Sequence, residues 1–195
     1  MLSVVIATHD SERALLPTLA ALVAGAAAGI VREVIIADAD SRDATAAIAD
    51  GAGCRVLVSA QRRGARLKAA AASARAPWLL FLRPGVVLDA TWVDETRRFI
   101  EETELRGCAD SHAAVFRPSA FRPALLEALA LLGTALGAKP DARHGLMIAK
   151  SRYVALGGHR DVDEPERDLQ RRLRRRHLVL LRAGAIATAS GQMLD

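Results

Sequence analysis

Aromatic residues make up only 4% of the 195 residues, although hydrophobic residues in total reach 51%. Trp78 and Trp92 are the only tryptophans, so the chain has no platform on which successive bases of a single strand could stack. Its core must instead be aliphatic and alanine-rich. Cysteine is scarce too: Cys54 and Cys108 lack Cys-x-x-Cys spacing, which leaves no disulfide framework and sets a reduced, cytoplasmic pair as the expectation. A Walker phosphate loop, a Gly-x-Ser-x-Gly elbow and a His-Glu-x-x-His motif are all missing. The five histidines are scattered without metal-ligand spacing, and each is expected at the surface or at a cap. Residues 14–31 carry no charge, yet Pro17, Thr18 and the two glycines there make a poor membrane span, so a buried helix and its exit loop are expected. The opening "MLSVVIATHD" has no basic region and meets Asp10 too soon for a signal peptide.

Charge is present but unevenly placed. The formal net charge is +5, and 24 of the 27 basic residues are arginine, as a GC-rich coding bias alone would give. Residues 51–88 are more telling: they hold Arg55, Arg62, Arg63, Arg66, Lys68, Arg75 and Arg83 and no acid. That segment should attract an anion. No nucleic-acid recognition element accompanies it, so nucleic acid is not an expected partner.

Short apolar runs recur at Leu2 to Ala7, Glu33 to Ala37, Arg55 to Val58 and Trp78 to Leu82, as strands covered on both faces would require. Between them Arg13 to Ala24, Arg42 to Asp50 and Gly64 to Ala74 have helical character. This alternation predicts an α/β fold, a Rossmann-like three-layer α/β/α sandwich around a mostly parallel sheet. Further on, a charged helix is expected over Thr91 to Arg106, with Asp94 and Arg98, and Glu102 and Arg106, paired at i,i+4. A strand near Ala113 to Phe116, a helix from Pro123 to Leu136, a strand at Leu146 to Ala149 and a helix from about Pro165 complete the reading. No linker or repeat divides the chain, so residues 1–195 are expected to form one domain.

Two strand ends carry candidate chemistry. After "EVIIA" come Asp38-Ala39-Asp40-Ser41-Arg42-Asp43; a carboxylate there can accept from a base N–H or a ribose hydroxyl, or can simply cap the next helix. After "WLLFL" come Arg83-Pro84-Gly85, which makes Arg83 a ligand contact or an edge charge. The blocks "SVVIATHDSERALLPTLAAL", "EVIIADADSRDAT", "RRGARLKAAAASARAPWLLFL" and "LMIAKSRYVALGGH" resemble, in order and spacing, those of family 2 glycosyltransferases, from residue 2 to about residue 183. The resemblance implies the GT-A fold and a nucleotide-diphosphate-sugar donor. It places Thr8 and Asp38 at the base and ribose, and Arg63 and Lys68 beside the nucleotide, with Lys68 where relatives usually have Asn.

The chain departs from the family pattern at its carboxylates. The family's fourth strand ends in an Asp-x-Asp-like motif that holds a divalent ion, a role for hard oxygen ligands. Arg83-Pro84-Gly85 stands there, with Asp89 four residues beyond Gly85. Gly-Asp-Gln-Gly of many relatives becomes Ala142-Arg143-His144-Gly145, and the Glu-Asp pair that supplies the general base becomes Pro165-Glu166. Glu166 is the candidate base, with Asp163 and Glu164 as competitors if the loop is shifted. Their bland alternative is capping and dipole pairing at a helix start.

The resulting expectation is a sugar transferase in which Arg83, helped by Arg63 and Lys68, neutralises the departing diphosphate without a metal cofactor. The alternative is an inactive homologue serving as a nucleotide-binding or protein-interaction module. Arg171, Arg172, Arg174, Arg175 and Arg176 near the end of the last helix are expected on a solvated face, with anionic membrane lipid as a secondary partner of a cytoplasmic protein.

Overall fold

The computed structural model describes residues 1–119, 141–173 and 177–187. The elements are β1 (Leu2–Thr8), α1 (Glu12–Ala27), β2 (Val31–Asp38), α2 (Thr45–Gly51), β3 (Arg55–Val58), α3 (Arg63–Ser73), β4 (Trp78–Leu82), β5 (Val86–Leu88), α4 (Trp92–Leu105) and β6 (Ala113–Ser119). A 3₁₀ turn at Ala142–His144, β7 (Leu146–Ala149), α5 (Lys150–Ala155), α6 (Pro165–Arg172) and β8 (Leu178–Ala187) follow. The expected helix from Pro123 to Leu136 lies outside the described residues.

One eight-stranded sheet runs in the order β3-β2-β1-β4-β7-β6-β8-β5. β3, β2, β1 and β4 are parallel, whereas β7 is antiparallel to both β4 and β6, and β5 is antiparallel to β8. The sheet is therefore parallel from β3 to β4 and mixed beyond β4. From β1 the chain moves outward through β2 and β3, then returns to place β4 on the other flank of β1. The order thus reverses between β1 and β4, and the carboxyl ends of strands at such a reversal are where open α/β sheets bind ligands.

Strand alternation divides the core in two. Val4, Ile6, Leu80 and Leu82 face a layer built on Leu15 and Leu22 of α1 and Trp92 and Phe99 of α4. Val5, Ala7, Leu79 and Phe81 face Leu67, Ala70 and Ala71 of α3, Tyr153 of α5 and Leu169 of α6. Both tryptophan indoles are buried with their N–H groups paired, Trp78 to the Glu104 carboxylate at 3.0 Å and Trp92 to the Ala21 carbonyl at 3.1 Å.

On α4, Glu102 and Arg106 lie 4.0 Å apart as expected, but Arg98 pairs with Glu95 at 3.3 Å and not with Asp94. Glu95 also accepts from the Arg182 backbone N–H at 3.2 Å, which draws its carboxylate to the α4–β8 side. Cys54 and Cys108 are free thiols. Among the described residues no helix is long and apolar enough to cross a membrane.

Candidate active site

The β1–α1 and β2–α2 loops are tied together at the carboxyl edge. Register puts Thr8 beside Asp38, and the Thr8 hydroxyl donates to Asp38 Oδ1 at 2.6 Å. Asp38 also accepts from the Ser41 hydroxyl at 2.6 Å and, through Oδ2, from the Ser41 backbone N–H at 2.7 Å. Asp38 does not cap α2, which begins at Thr45; almost fully buried at the carboxyl edge of the sheet, it organises the turn after β2 instead. Of its roughly four lone-pair sites, three are occupied. Burial pushes the Asp38 carboxyl up, but the hydrogen bonds from Ser41 and Thr8 and the charge of Arg66 outweigh it, so the group titrates below the ordinary aspartate range.

Across the two loops, Asp10 accepts from the Arg42 N–H at 2.7 Å and Asp43 accepts from the Glu12 N–H at 3.0 Å. Asp10 and Asp40 both adopt positive φ, 43° and 62°, a left-handed conformation that aspartate tolerates better than most residues.

Arg66 is the residue that sequence reasoning left unassigned. Its guanidinium is buried at the ends of β1 and β2, donating to the Thr8 carbonyl at 2.8 Å, the Ala37 carbonyl at 2.5 Å and, through Nε, the Gln61 carbonyl at 3.0 Å. Helical register carries the signal that would have found it: Arg66 belongs to the buried stripe of Gly64, Leu67, Ala70 and Ala71. Lys68, two residues on, lies on the exposed side of α3. The expected pairing of Lys68 with Arg63 and Arg83 thus gives way to Arg66 at the loops, while Lys68 faces solvent.

The second cluster lies after β4. The Val86 N–H returns to the Arg83 carbonyl at 3.1 Å, Pro84 has the φ such a turn requires at its second position, and Gly85 supplies φ of 85° at the third. The Gly85 N–H is shared between the Ala14 carbonyl at 2.8 Å and the Thr18 hydroxyl at 2.9 Å, which docks the turn on α1. Continuing the alternation of Leu79 and Phe81, Arg83 points to the face of α3 and α6. There its Nη2 meets Glu166 Oε2 at 3.3 Å, and Arg63 Nη2 meets Glu166 Oε1 at 2.6 Å.

Arg83 and Arg63 do come together as expected, but a carboxylate bridges them. Glu166 is almost fully buried. Burial raises its pKa, and the charges of Arg63 and Arg83 more than reverse that, leaving it below the ordinary glutamate value. Asp163 is exposed on the loop before α6, and Glu164 pairs with Arg167 at 2.7 Å.

His159 backs this cluster. Tyr153 Oη accepts from the His159 backbone N–H at 3.0 Å and lies 3.0 Å from His159 Nδ1. The tyrosine proton is then best given to Nδ1, which leaves the imidazole proton on Nε2. Burial lowers the His159 pKa to about 4, with the Glu166 charge opposing that shift.

Comparison with known proteins identifies the family and the fold. A family model described as glycosyl transferase family 2 matches residues 3–140. The chain belongs to glycosyl transferase family 2. A search of curated proteins finds no match. Among solved structures, S. aureus TarS 1–349 in complex with UDP superposes with a TM-score of 0.70 at 15% identity, over 96% of this chain and 60% of that one. TarS 1–349 in complex with UDP-GlcNAc gives 0.69 at 14% identity, over 100% of this chain and 61% of that one. The Mycobacterium tuberculosis glucosyl-3-phosphoglycerate synthase, in complex with Mn²⁺, UDP and glucosyl-3-phosphoglycerate, gives 0.65 at 16%, over 92% and 68%. The chain thus has the GT-A fold and spans about 60% of the length of TarS 1–349.

The donors after β4 do not fit the divalent ion that this family's Asp-x-Asp motif would hold. Arg83 stands at the strand end, Glu166 lies between two guanidiniums, and Asp89 accepts from Thr91 Oγ1 at 2.7 Å, the Thr91 N–H at 2.8 Å and the Gly184 N–H. Among the described residues no group of three or more His, Cys, Asp or Glu stands together. Arg143, where relatives carry a carboxylate, closes on Asp141 at 2.7 Å.

The basic run near the end of α6 divides. Arg171 is exposed, but Arg172 pairs with Asp168 at 2.7 Å and donates to the Leu156 and Gly158 carbonyls, so it braces α6 against the α5 turn instead of facing outward. Arg174, Arg175 and Arg176 lie outside the described residues.

Proposed function

We propose that this glycosyltransferase-like domain, residues 1–195, binds a nucleotide-diphosphate sugar with its nucleoside at Thr8, Asp38 and Arg66 and its diphosphate at Arg63 and Arg83. The observation that carries the reading is the Arg63–Glu166–Arg83 cluster at the strand end where the family places its metal. Two guanidiniums offer a fixed, oriented positive charge to phosphoryl oxygens and can stabilise a departing diphosphate in place of a cation. The complexes of the similar structures with UDP and UDP-GlcNAc support a nucleotide-sugar ligand. On this reading transfer is metal-independent. Glu166 or the exposed Asp163 would serve as the base toward the acceptor hydroxyl, and Arg83 as the charge opposite the leaving group. Contact with anionic lipid would rest on Arg171 and its downstream arginines, without Arg172.

One observation favours the second reading, a homologue that binds without turnover. Both Glu166 oxygens hold arginines, and a carboxylate whose pKa those charges depress is a weak proton acceptor. A thermal-shift screen of nucleoside diphosphates and their sugars, with Mn²⁺ and with EDTA, tests the reading. A rise in Tm with one diphosphate that survives EDTA is expected, because a ligand of the folded state must stabilise it. No shift with any nucleotide overturns the reading. A shift without sugar transfer selects the second.

A further inference from the structure

We propose that His144 is a third ligand of the diphosphate site, an imidazole beside Arg83 that meets the bound phosphoryl oxygens as a protonated, positively charged donor. The inference rests on the diphosphate reading above and adds to it a residue and a dependence on pH.

Register brings His144 to the site. β4 and β7 pair with Trp78 opposite Ala149 and Phe81 opposite Leu146, so two further steps set Leu82 opposite Gly145 and Arg83 opposite His144. The first step is visible in the packing, where a Cβ on Gly145 would lie 2.9 Å from Leu82 Cδ2. Residues opposite each other across such a pair share a face, and for Arg83 that is the face where it meets Glu166. The 3₁₀ turn is fastened to the same face: Ala142 packs in the layer of α3 and α6, and its N–H donates to Gln170 Oε1 at 2.7 Å. The His144 ring is half-buried, and Nδ1 is enclosed without a hydrogen bond, which leaves Nε2 as the nitrogen open to a ligand.

The surrounding charges explain why the proton arrives with the ligand. Burial lowers the His144 pKa first; Asp141 favours the protonated ring, while Arg143 and Arg83 oppose it, leaving the group below the ordinary 6.5. The elements packed on the turn are α6, β6 and β8. Their charged groups are Glu166, Asp168 and the arginines of α6, Arg117 of β6 and Arg182 of β8. Glu166 takes Arg63 and Arg83, Asp168 takes Arg172, and Arg117 reaches the Arg182 carbonyl at 2.8 Å. An anion set beside Arg83 reverses the balance at His144, since an opposite charge nearby favours the charged form. Because the ligand raises this pKa, it binds the protonated form better. The His144 contribution is then present below the pKa of the complex and is lost as pH rises through it.

The test is calorimetric titration of inorganic pyrophosphate, in EDTA, into the wild type and His144→Gln at about pH 6 and about pH 8. Buffers of different ionisation enthalpy count the protons taken up, and pyrophosphate's own protons cancel in the difference between the two proteins. The variant is expected to bind roughly tenfold more weakly at the lower pH, little more weakly at the higher, and with fewer protons taken up. A loss equal at both pH values gives His144 a purely structural role and overturns the inference, as does wild-type affinity in the variant at both. Either result leaves the diphosphate reading intact, whereas no binding by either protein overturns both. A second readout needs no folded His144 variant: NMR titration of the histidine rings, with and without pyrophosphate, in the wild type and in His9→Gln. His159 is set apart by its titration near 4. One further ring should show a pKa raised by pyrophosphate in both proteins, and its absence overturns the proposal.

Discussion

At the residue scale, the buried polar groups at the carboxyl edge of the sheet set how the protein responds to pH and to substitution. His159 titrates at about 4 in the folded protein against an ordinary 6.5, so its neutral form is favoured by folding. As pH falls, the unfolded chain takes up the proton first. The stability tied to the neutral imidazole is complete above about pH 6.5 and declines toward pH 4, by about 3 kcal/mol in all. Glu166 and Asp38, with pKa values below their ordinary 4.5 and 3.8, contribute stability that is kept above those values and lost at more acid pH. Urea denaturation across this range should show stability falling with acid, with the part above about pH 4.5 removed in His159→Asn. A wild-type profile that is flat down to that pH would refute the neutral assignment. Arg66→Met should cost roughly 3 kcal/mol, because three carbonyls lose a donor and buried Asp38 loses its nearest cation. A urea midpoint unchanged from wild type would show that Arg66 is dispensable to the loops.

At the element scale, the site depends on how closely α3 approaches the loop before α6. A Cβ on Gly64 would lie 2.0 Å from the Arg160 carbonyl oxygen, so Gly64→Ala must push α3 and that loop apart despite alanine's better helix propensity. A loss of about 1–3 kcal/mol in urea denaturation is expected, with weakened contact between Arg63 and Glu166. A stabilised variant would show that the approach is not constraining. The same elements show what was legible in the sequence. β1 to β4 and the helices between them could be read because each strand is a short apolar run bounded by a change of period. β5 is only three residues long, and β8 interrupts its apolar run Leu178 to Leu181 with Arg182 and Gly184, so neither reads as a bounded strand. Arg83 and Glu166 could be named separately, but not as partners. Their meeting depends on a sequence separation of 83 and on the antiparallel return through β7, which no local pattern records.

At the scale of the whole molecule, the acid-free segment 51–88 does not form one continuous anion trap. Arg55 pairs with Glu33 at 3.5 Å and the Arg75 backbone N–H donates to the same carboxylate, both at the amino edge of the sheet. Arg66 is buried under the loops, and Arg62 and Lys68 face solvent. Folding thus distributes the positive charge and leaves Arg63 and Arg83 to act together at the carboxyl edge. On the function proposed above, this pair holds a diphosphate without a divalent ion. Its most direct test is the ratio of nucleoside-diphosphate to nucleoside dissociation constants, measured in EDTA by titration calorimetry on the wild type and on Arg83→Ala. Arg83→Ala is expected to weaken the diphosphate by roughly tenfold or more, the value of one charge-assisted hydrogen bond, while nucleoside affinity stays within about twofold. An unchanged ratio, or diphosphate binding that appears only when Mn²⁺ is added, would contradict it.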